Sequence, residues 1–310
     1  PVSLLTTAAH LVRLLAIGCS LFPRSTVFCL AENQDSTPNL SVPSQLISPF
    51  GSYPNPFGLT EEDRQQFAPV VKFPIKEDGT PNYRILDHTK PWKDQPTQLV
   101  SPEEHERAKS LSCRSTDGDE AGAVADGAPE DVRDALGQRS FDWYGVGRYD
   151  ENRVGMYESE LFAVEDKEDQ RTIHIGIDLD GPVGTPVAAF YHGIVHSVGY
   201  NPALGDYGNV IVLEHELPQN KGTVYALYGH LDSGVVKNFL VGQSVTKGQI
   251  LAGMGAYWEN GGGTIPHVHF QLSVKPPSIP HDMPGAVAPK DRAVALWDYP
   301  DPRYVLGDLY

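Results

Sequence analysis

Pro266-His267-Val268-His269-Phe270-Gln271-Leu272-Ser273 alternates between polar and apolar side chains. Residues i and i+2 of a strand share a face, so Val268, Phe270 and Leu272 predict a core face and His267, His269 and Gln271 the opposite one. Two imidazoles about 7 Å apart on one strand face can serve a single metal centre, one as ligand and one as neighbour. Upstream, Ile173-His174-Ile175-Gly176-Ile177-Asp178 repeats the alternation and places His174 and Asp178 together. A straight strand would hold those two about 13 Å apart. Zinc donors lie within about 2.0–2.2 Å of the metal, so this strand must bend, and Gly176 is the residue that permits a bend or bulge. Two His and one Asp leave a fourth position open, the catalytic rather than the structural zinc arrangement. Either motif alone is a weak signal; a half-buried, hydrogen-bonded histidine is the commoner outcome.

Outward from these motifs, period-two alternation broken by Gly and Pro turns runs from Gly155 to Val274. Strands are predicted at 187–189, 193–198, 209–214, 223–230, 249–252 and 267–274. Residues 242–245 and 247–249 read as short strand, turn, short strand. No helix longer than about three turns is expected. With 30 Gly and 26 Pro in 310 residues, the expected fold is mostly β: a compact antiparallel sheet core with an open groove, loose N-terminal segments and a short C-terminal tail.

The flanks read differently. Residues 1–31 carry no acid and only Arg13 and Arg24 as bases. Their apolar run, 14–22, is too short to span a bilayer. Cys29-Leu30-Ala31 supplies small residues at −3 and −1, which predicts a targeting segment and a secreted or organellar location. Residues 32–60 read as a Ser/Pro-rich linker. Residues 61–140 form an accessory segment with an acidic insertion at 114–135 expected to be disordered. The main domain is placed at 141–275, and 276–310 is a Pro-rich tail with a short helix near 293–297. Cys19, Cys29 and Cys113 lack the spacing of a disulfide framework or a thiolate zinc site. A net charge of −16 argues against nucleic acid and anionic lipid surfaces as partners.

The ordered blocks of residues 172–274 resemble the M23 (lysostaphin/LytM-like) metallopeptidase family. They are His174-x-Gly-x-Asp178, Gly184-Thr-Pro-Val187, Gly208-Asn-Val-Ile-Val212, Tyr228-Gly-His-Leu231, Val241-Gly-Gln243 with Lys247-Gly-Gln-Ile250, and His267-x-His269-Phe270. The resemblance implies a zinc cofactor held by His174, Asp178 and His269, with His230 and His267 catalytic. It implies a zinc metalloendopeptidase acting on peptides that contain Gly or D-amino acids, such as peptidoglycan cross-links. No Glu occupies an HExxH position, so histidines must move the protons; which of His230 and His267 is base and which oxyanion donor stays open. Two departures stand out. Gln271 replaces the usual Glu, and the loop from Trp258 to Pro266 is longer than the common turn. The tail from His281 to Arg303 resembles the segment following such domains in long fused proteins that also carry a kinase-like and an aminotransferase part. It keeps open a metal-dependent hydrolase of another small amide. A non-enzymatic binding or regulatory module of the same fold is the other alternative. Of the remaining histidines, His88, His105 and His281 read as surface residues. His192 and His196 read as surface or groove edge, and His215 as a structural hydrogen-bonding residue.

Overall fold

The computed structural model describes residues 53–90, 143–157, 160–203, 205–256, 259–261 and 265–310. The targeting segment at 1–31, the insertion at 114–135 and His105 lie outside them. In chain order the strands are β1 (Arg84–Ile85), β2 (Gly145–Gly147), β3 (Ile173–His174), β4 (Ile177–Asp180), β5 (Pro186–Ala188), β6 (Gly193–Asn201), β7 (Gly208–Glu216), β8 (Thr223–Leu231), β9 (Ser244–Val245), β10 (Ile250–Gly253), β11 (His267–Ser273) and β12 (Ala286–Val287). Eight of them form one sheet in the order β1-β2-β4-β11-β8-β7-β6-β9; β10 pairs with β5 and β12 with β3. The sheet is mixed: β1 runs parallel to β2, and the other pairings are antiparallel. Helices are short: α1 (Glu61–Arg64), α2 (Gly234–Asn238), α3 (Arg292–Asp298) and α4 (Arg303–Leu306).

One sheet face is the core. Ile177, Leu179, Ile211, Leu213, Ala226, Tyr228, Val268, Phe270 and Leu272 are buried there, as the alternation predicts. Fully burying one such side chain stabilises the fold by about 1.5–3 kcal/mol. The opposite face carries Asp178, Asp180, His269 and Gln271, all buried, next to a smaller apolar cluster of Tyr207, Val210, Val212, Leu227 and Met283.

Strict alternation along β8 would send His230 to the core face beside Tyr228. It does not, because β8 carries one extra residue opposite β7: Asn209 pairs with Leu231 while Ile211 pairs with Tyr228. His230 takes φ +60°, the left-handed region, at that bulge. Its ring therefore turns to the polar face, and Leu231 returns to the core.

The flanking segments are packed. Leu59 is in the core, Tyr53 stacks edge-on against Tyr149, and a Thr60/Asp63 capping box starts α1. The chain is thus packed from Tyr53, inside the stretch read as linker. The Pro-rich tail, expected to hold only a short helix, also contributes β12, which pairs Ala286 with His174. Its predicted helix is α3.

Candidate metal centre

His174 ends β3, Asp178 lies in β4 and His269 in β11. Between the first two, Gly176 has φ +143°, and a Cβ there would stand 2.5 Å from the His269 ring. Glycine both breaks the strand and leaves room for the imidazole. β3 turns away to pair with β12, while β4 pairs with β11 and sets Asp178 opposite His269. The result brings together three donor atoms. His174 Nε2 is 3.1 Å from His269 Nδ1 and 3.3 Å from Asp178 Oδ1, and His269 Nδ1 is 3.1 Å from Asp178 Oδ1. All three residues are buried.

The outer contacts say which atoms face inward. His174 Nδ1 lies 2.9 Å from the Arg148 carbonyl oxygen and donates to it, so Nε2 presents its lone pair. His269 Nε2 lies 2.9 Å from Gln271 Oε1; donating there leaves Nδ1 as the acceptor. Asp178 Oδ1 is an acceptor too. Three lone pairs therefore converge with no proton between them, an arrangement that repels itself unless a cation sits at its centre. Tetrahedral bonds of 2.0–2.2 Å put donors about 3.3–3.6 Å apart, a little wider than the metal-free spacing found. The residues fit a zinc ion.

Arg153, itself buried, donates from Nη1 to Asp178 Oδ2 at 2.6 Å and from Nε to Glu151 Oε2 at 3.1 Å. Glu151 Oε1 accepts from Arg148 Nη2 at 2.7 Å and from the His88 backbone N–H at 3.1 Å. Burial alone would raise the Asp178 pKa; the imidazoles of His174 and His269 and the Arg153 guanidinium set against it overcome that and hold Asp178 well below the usual carboxylate range. Burial presses His174 down to about 4, so it is neutral at pH 7 as a ligand must be.

His267 and His230 flank this centre with ring centroids 4.3 Å apart. His267 Nε2 is 3.8 Å from Asp178 Oδ1. His267 Nδ1 donates to the Ile265 carbonyl at 2.6 Å, and His230 Nδ1 to that of Asn260 at 2.6 Å. Each ring thus keeps Nε2 free as an acceptor. Burial lowers both pKa values, followed by the neighbouring His267 charge for His230. Tyr207 wedges against His269 and His230, ring centroids 5.2 and 5.8 Å away, and its hydroxyl donates to Met283 O at 2.9 Å.

The structure brings all five predicted site residues together. It corrects one expectation: His88, read as a surface residue, is buried on the site face at the β1 end. Its pKa is pushed down to about 3 by burial, then by Arg153, and its Nδ1 has no partner among the described residues. His281 is half-buried, its N–H donating to Ser197 Oγ. His215 donates to His192 O at 2.9 Å, the hydrogen-bonding role expected. Sequence reasoning missed Arg148, Glu151 and Arg153; alternating opposite charges just upstream of a buried motif were the available signal. A cavity of about 970 Å³ lined by Tyr157, Phe162, Arg171 and Thr172 contains none of the five site residues.

Residues 172–280 match the model of peptidase family M23. Over those residues the chain resembles the M23 peptidases. Over 101 residues it is 33% identical to peptidoglycan DD-endopeptidase ShyC of Vibrio cholerae, covering 33% of this chain and 20% of that protein. It is 37% identical over 102 residues to lysostaphin of Staphylococcus staphylolyticus, covering 33% and 19%. The chain thus spans about a fifth of the length of these relatives. Among solved structures it is similar to the catalytic domain of lysostaphin from Staphylococcus simulans: 26% identity, 47% of this chain, 86% of that one, TM-score 0.31. A zinc-containing peptidase from Vibrio cholerae gives 32% identity, 35% and 30% coverage, TM-score 0.27. The M23 span contains the five site residues but not Arg148, Glu151, Arg153 or β12.

Proposed function

We propose that this chain is a zinc metalloendopeptidase whose zinc is held by His174, Asp178 and His269, with His230 and His267 moving protons. The observation that carries this reading is the buried cage of three acceptors, 3.1–3.3 Å apart, whose outward nitrogens are already committed to Arg148 O and Gln271 Oε1. A bound zinc would polarise the scissile carbonyl and acidify a water. The protein's own groups do the rest. His230 and His267 are neutral, and each holds its Nδ1–H on a carbonyl, so each Nε2 can take a proton from the attacking water. A ring that has accepted the proton is a donor, able to stabilise the developing oxyanion or protonate the leaving amine. The left-handed backbone at His230 is the kind of local strain retained where a side chain must be aimed.

Gln271 does here what a Glu would do in the family pattern: it accepts the His269 Nε2–H, and its own amide donates to Pro284 O at 3.4 Å. The departure therefore keeps the ligand's orientation and removes a negative charge. The relatives named as peptidoglycan endopeptidases favour cross-link peptides as substrate, and the same kinship favours an extracytoplasmic setting. Among the described residues no helix is long and apolar enough to cross a membrane. The test is metal analysis of the purified chain followed by digestion of peptidoglycan and a panel of small amides. About one zinc per chain and release of peptide fragments is the expected result. A stoichiometric metal with no amide cleaved would favour the regulatory-module alternative.

A further inference from the structure

The two histidines assigned to proton movement take their orientation from one loop. Between β10 and β11 the chain passes beside the end of β8, where the Gly255 N–H donates to His230 O at 2.9 Å. Two carbonyls of this loop then face the rings: Asn260 O holds the His230 Nδ1–H and Ile265 O the His267 Nδ1–H, each at 2.6 Å. A carbonyl oxygen has no proton to give, so each contact selects the Nδ1–H tautomer and leaves Nε2 as the acceptor. The acceptor for His267 is two residues away in its own chain segment. The acceptor for His230 is 30 residues away and has to be brought to it. It comes from the stretch that is longer than the common turn of the family.

What holds Asn260 O in place is therefore part of the site. The Glu259 and Asn260 N–H groups both donate to Ala256 O at 3.0 Å, closing a tight turn. Asn209 Nδ2 donates to Glu259 O at 3.0 Å, and Gly261 O accepts from the Gly205 N–H at 3.1 Å. The Asn260–Gly261 peptide lies directly on Gly208, where a Cβ would collide with it. One side chain ties this turn to the catalytic strand. Glu259 Oε2 accepts the Ser233 N–H at 3.1 Å, and Oε1 accepts the Ala256 N–H at 3.3 Å. Ser233 follows the end of β8, so the clip joins the loop to the same chain segment that presents His230. We infer that Glu259 is a positioning residue for the proposed peptidase reaction: its carboxylate clips the loop to the end of β8 and so keeps the Asn260 carbonyl on the His230 ring. The inference rests on the reading above, in which His230 moves a proton. The hydrogen bonds of Glu259 go to backbone donors and not to the metal ligands, so zinc should bind without it.

The test uses the full zinc-loaded chain and Glu259→Ala, with Glu259→Gln as the conservative variant. The amide keeps one accepting oxygen and turns the other into a donor, so Gln should fall between wild type and Ala. On a cleaved peptide Glu259→Ala should lower kcat about 10²-fold, the scale of a reacting group displaced by about 1 Å. KM should stay within about twofold and zinc content should not change. In a His230→Ala background the same substitution should cost less than about twofold, because a group that acts through His230 has nothing left to position. General loosening of the groove would instead slow both backgrounds by the same factor. Nitrogen NMR of the isotope-labelled chain reads the ring directly: His230 should carry Nδ1–H in wild type and a mixture with Nε2–H in Glu259→Ala, while His267 stays unchanged. Should Glu259→Ala not fold, Glu259→Gln carries the same cycle and the same spectrum. Equal losses with and without His230, a kcat within about threefold of wild type, or an unaltered His230 tautomer overturns the proposal. If wild type cleaves no amide, the peptidase reading falls, and the spectrum still decides whether Glu259 sets the His230 ring.

Discussion

Arg153→Met tests the charge logic of the centre. In the metal-free chain Asp178 Oδ2 has one full charge beside it, the Arg153 guanidinium at 2.6 Å. Both side chains are more than nine-tenths buried. Removing one partner of a buried pair typically costs about 3–5 kcal/mol because the other charge is stranded. For a domain of this size that corresponds to a fall in melting temperature of roughly 6–20 °C. The pH dependence follows. A depressed carboxylate pKa gives stability that is present above the unfolded value, about 3.9, and is lost as pH falls through the folded one. Without Arg153 the folded value of Asp178 rises. The metal-free variant should therefore be less stable at pH 7 and should begin acid unfolding at higher pH. Zinc supplies the missing positive charge on the other carboxylate oxygen, so it should raise the variant's melting temperature by more than it raises that of wild type. Arg153→Lys keeps the charge but not the fork reaching both Asp178 and Glu151, and should fall between. The assay is calorimetry of chelator-treated and zinc-loaded protein across pH. A metal-free midpoint within about 2 °C of wild type, or a zinc increment no larger than wild type's, refutes this account of Asp178.

Further outcomes are expected. His174→Ala and His269→Ala should lose bound zinc and turnover together, whereas His230→Ala and His267→Ala should keep zinc and lose about 10²–10⁴-fold in rate; metal analysis and turnover on the four variants decide the roles. Gln271→Leu leaves the His269 Nε2–H without its acceptor and should weaken zinc binding about 10–100-fold, while Gln271→Glu should bind zinc at least as well as wild type, read by chelator competition. Gly176→Ala should abolish zinc binding outright, since its Cβ meets the His269 ring at 2.5 Å on a backbone with φ +143°; a zinc-replete Gly176→Ala protein would show that the break between β3 and β4 is not needed.

Much of the sheet was legible because it obeys short-range rules. Alternation over 267–273 by itself assigns Val268, Phe270 and Leu272 to the core, and the structure buries all three. The ligand types were legible for the same reason: His174 and Asp178 are close in sequence, and the sole residue able to break the strand between them is Gly176. Tertiary structure decided what depends on partners distant in sequence. Period-two counting puts His230 on the core face; only pairing with β7 reveals the bulge that turns it to the site. Which nitrogen of each imidazole faces inward is set by Arg148 O, Gln271 Oε1, Asn260 O and Ile265 O, and no spacing rule encodes those contacts. The same holds for His88, buried because β1 joins β2 in parallel, and for Arg153, which bridges Asp178 and Glu151. A strand's facing pattern is a property of its own backbone. Orientation and protonation are properties of what the rest of the chain packs against it.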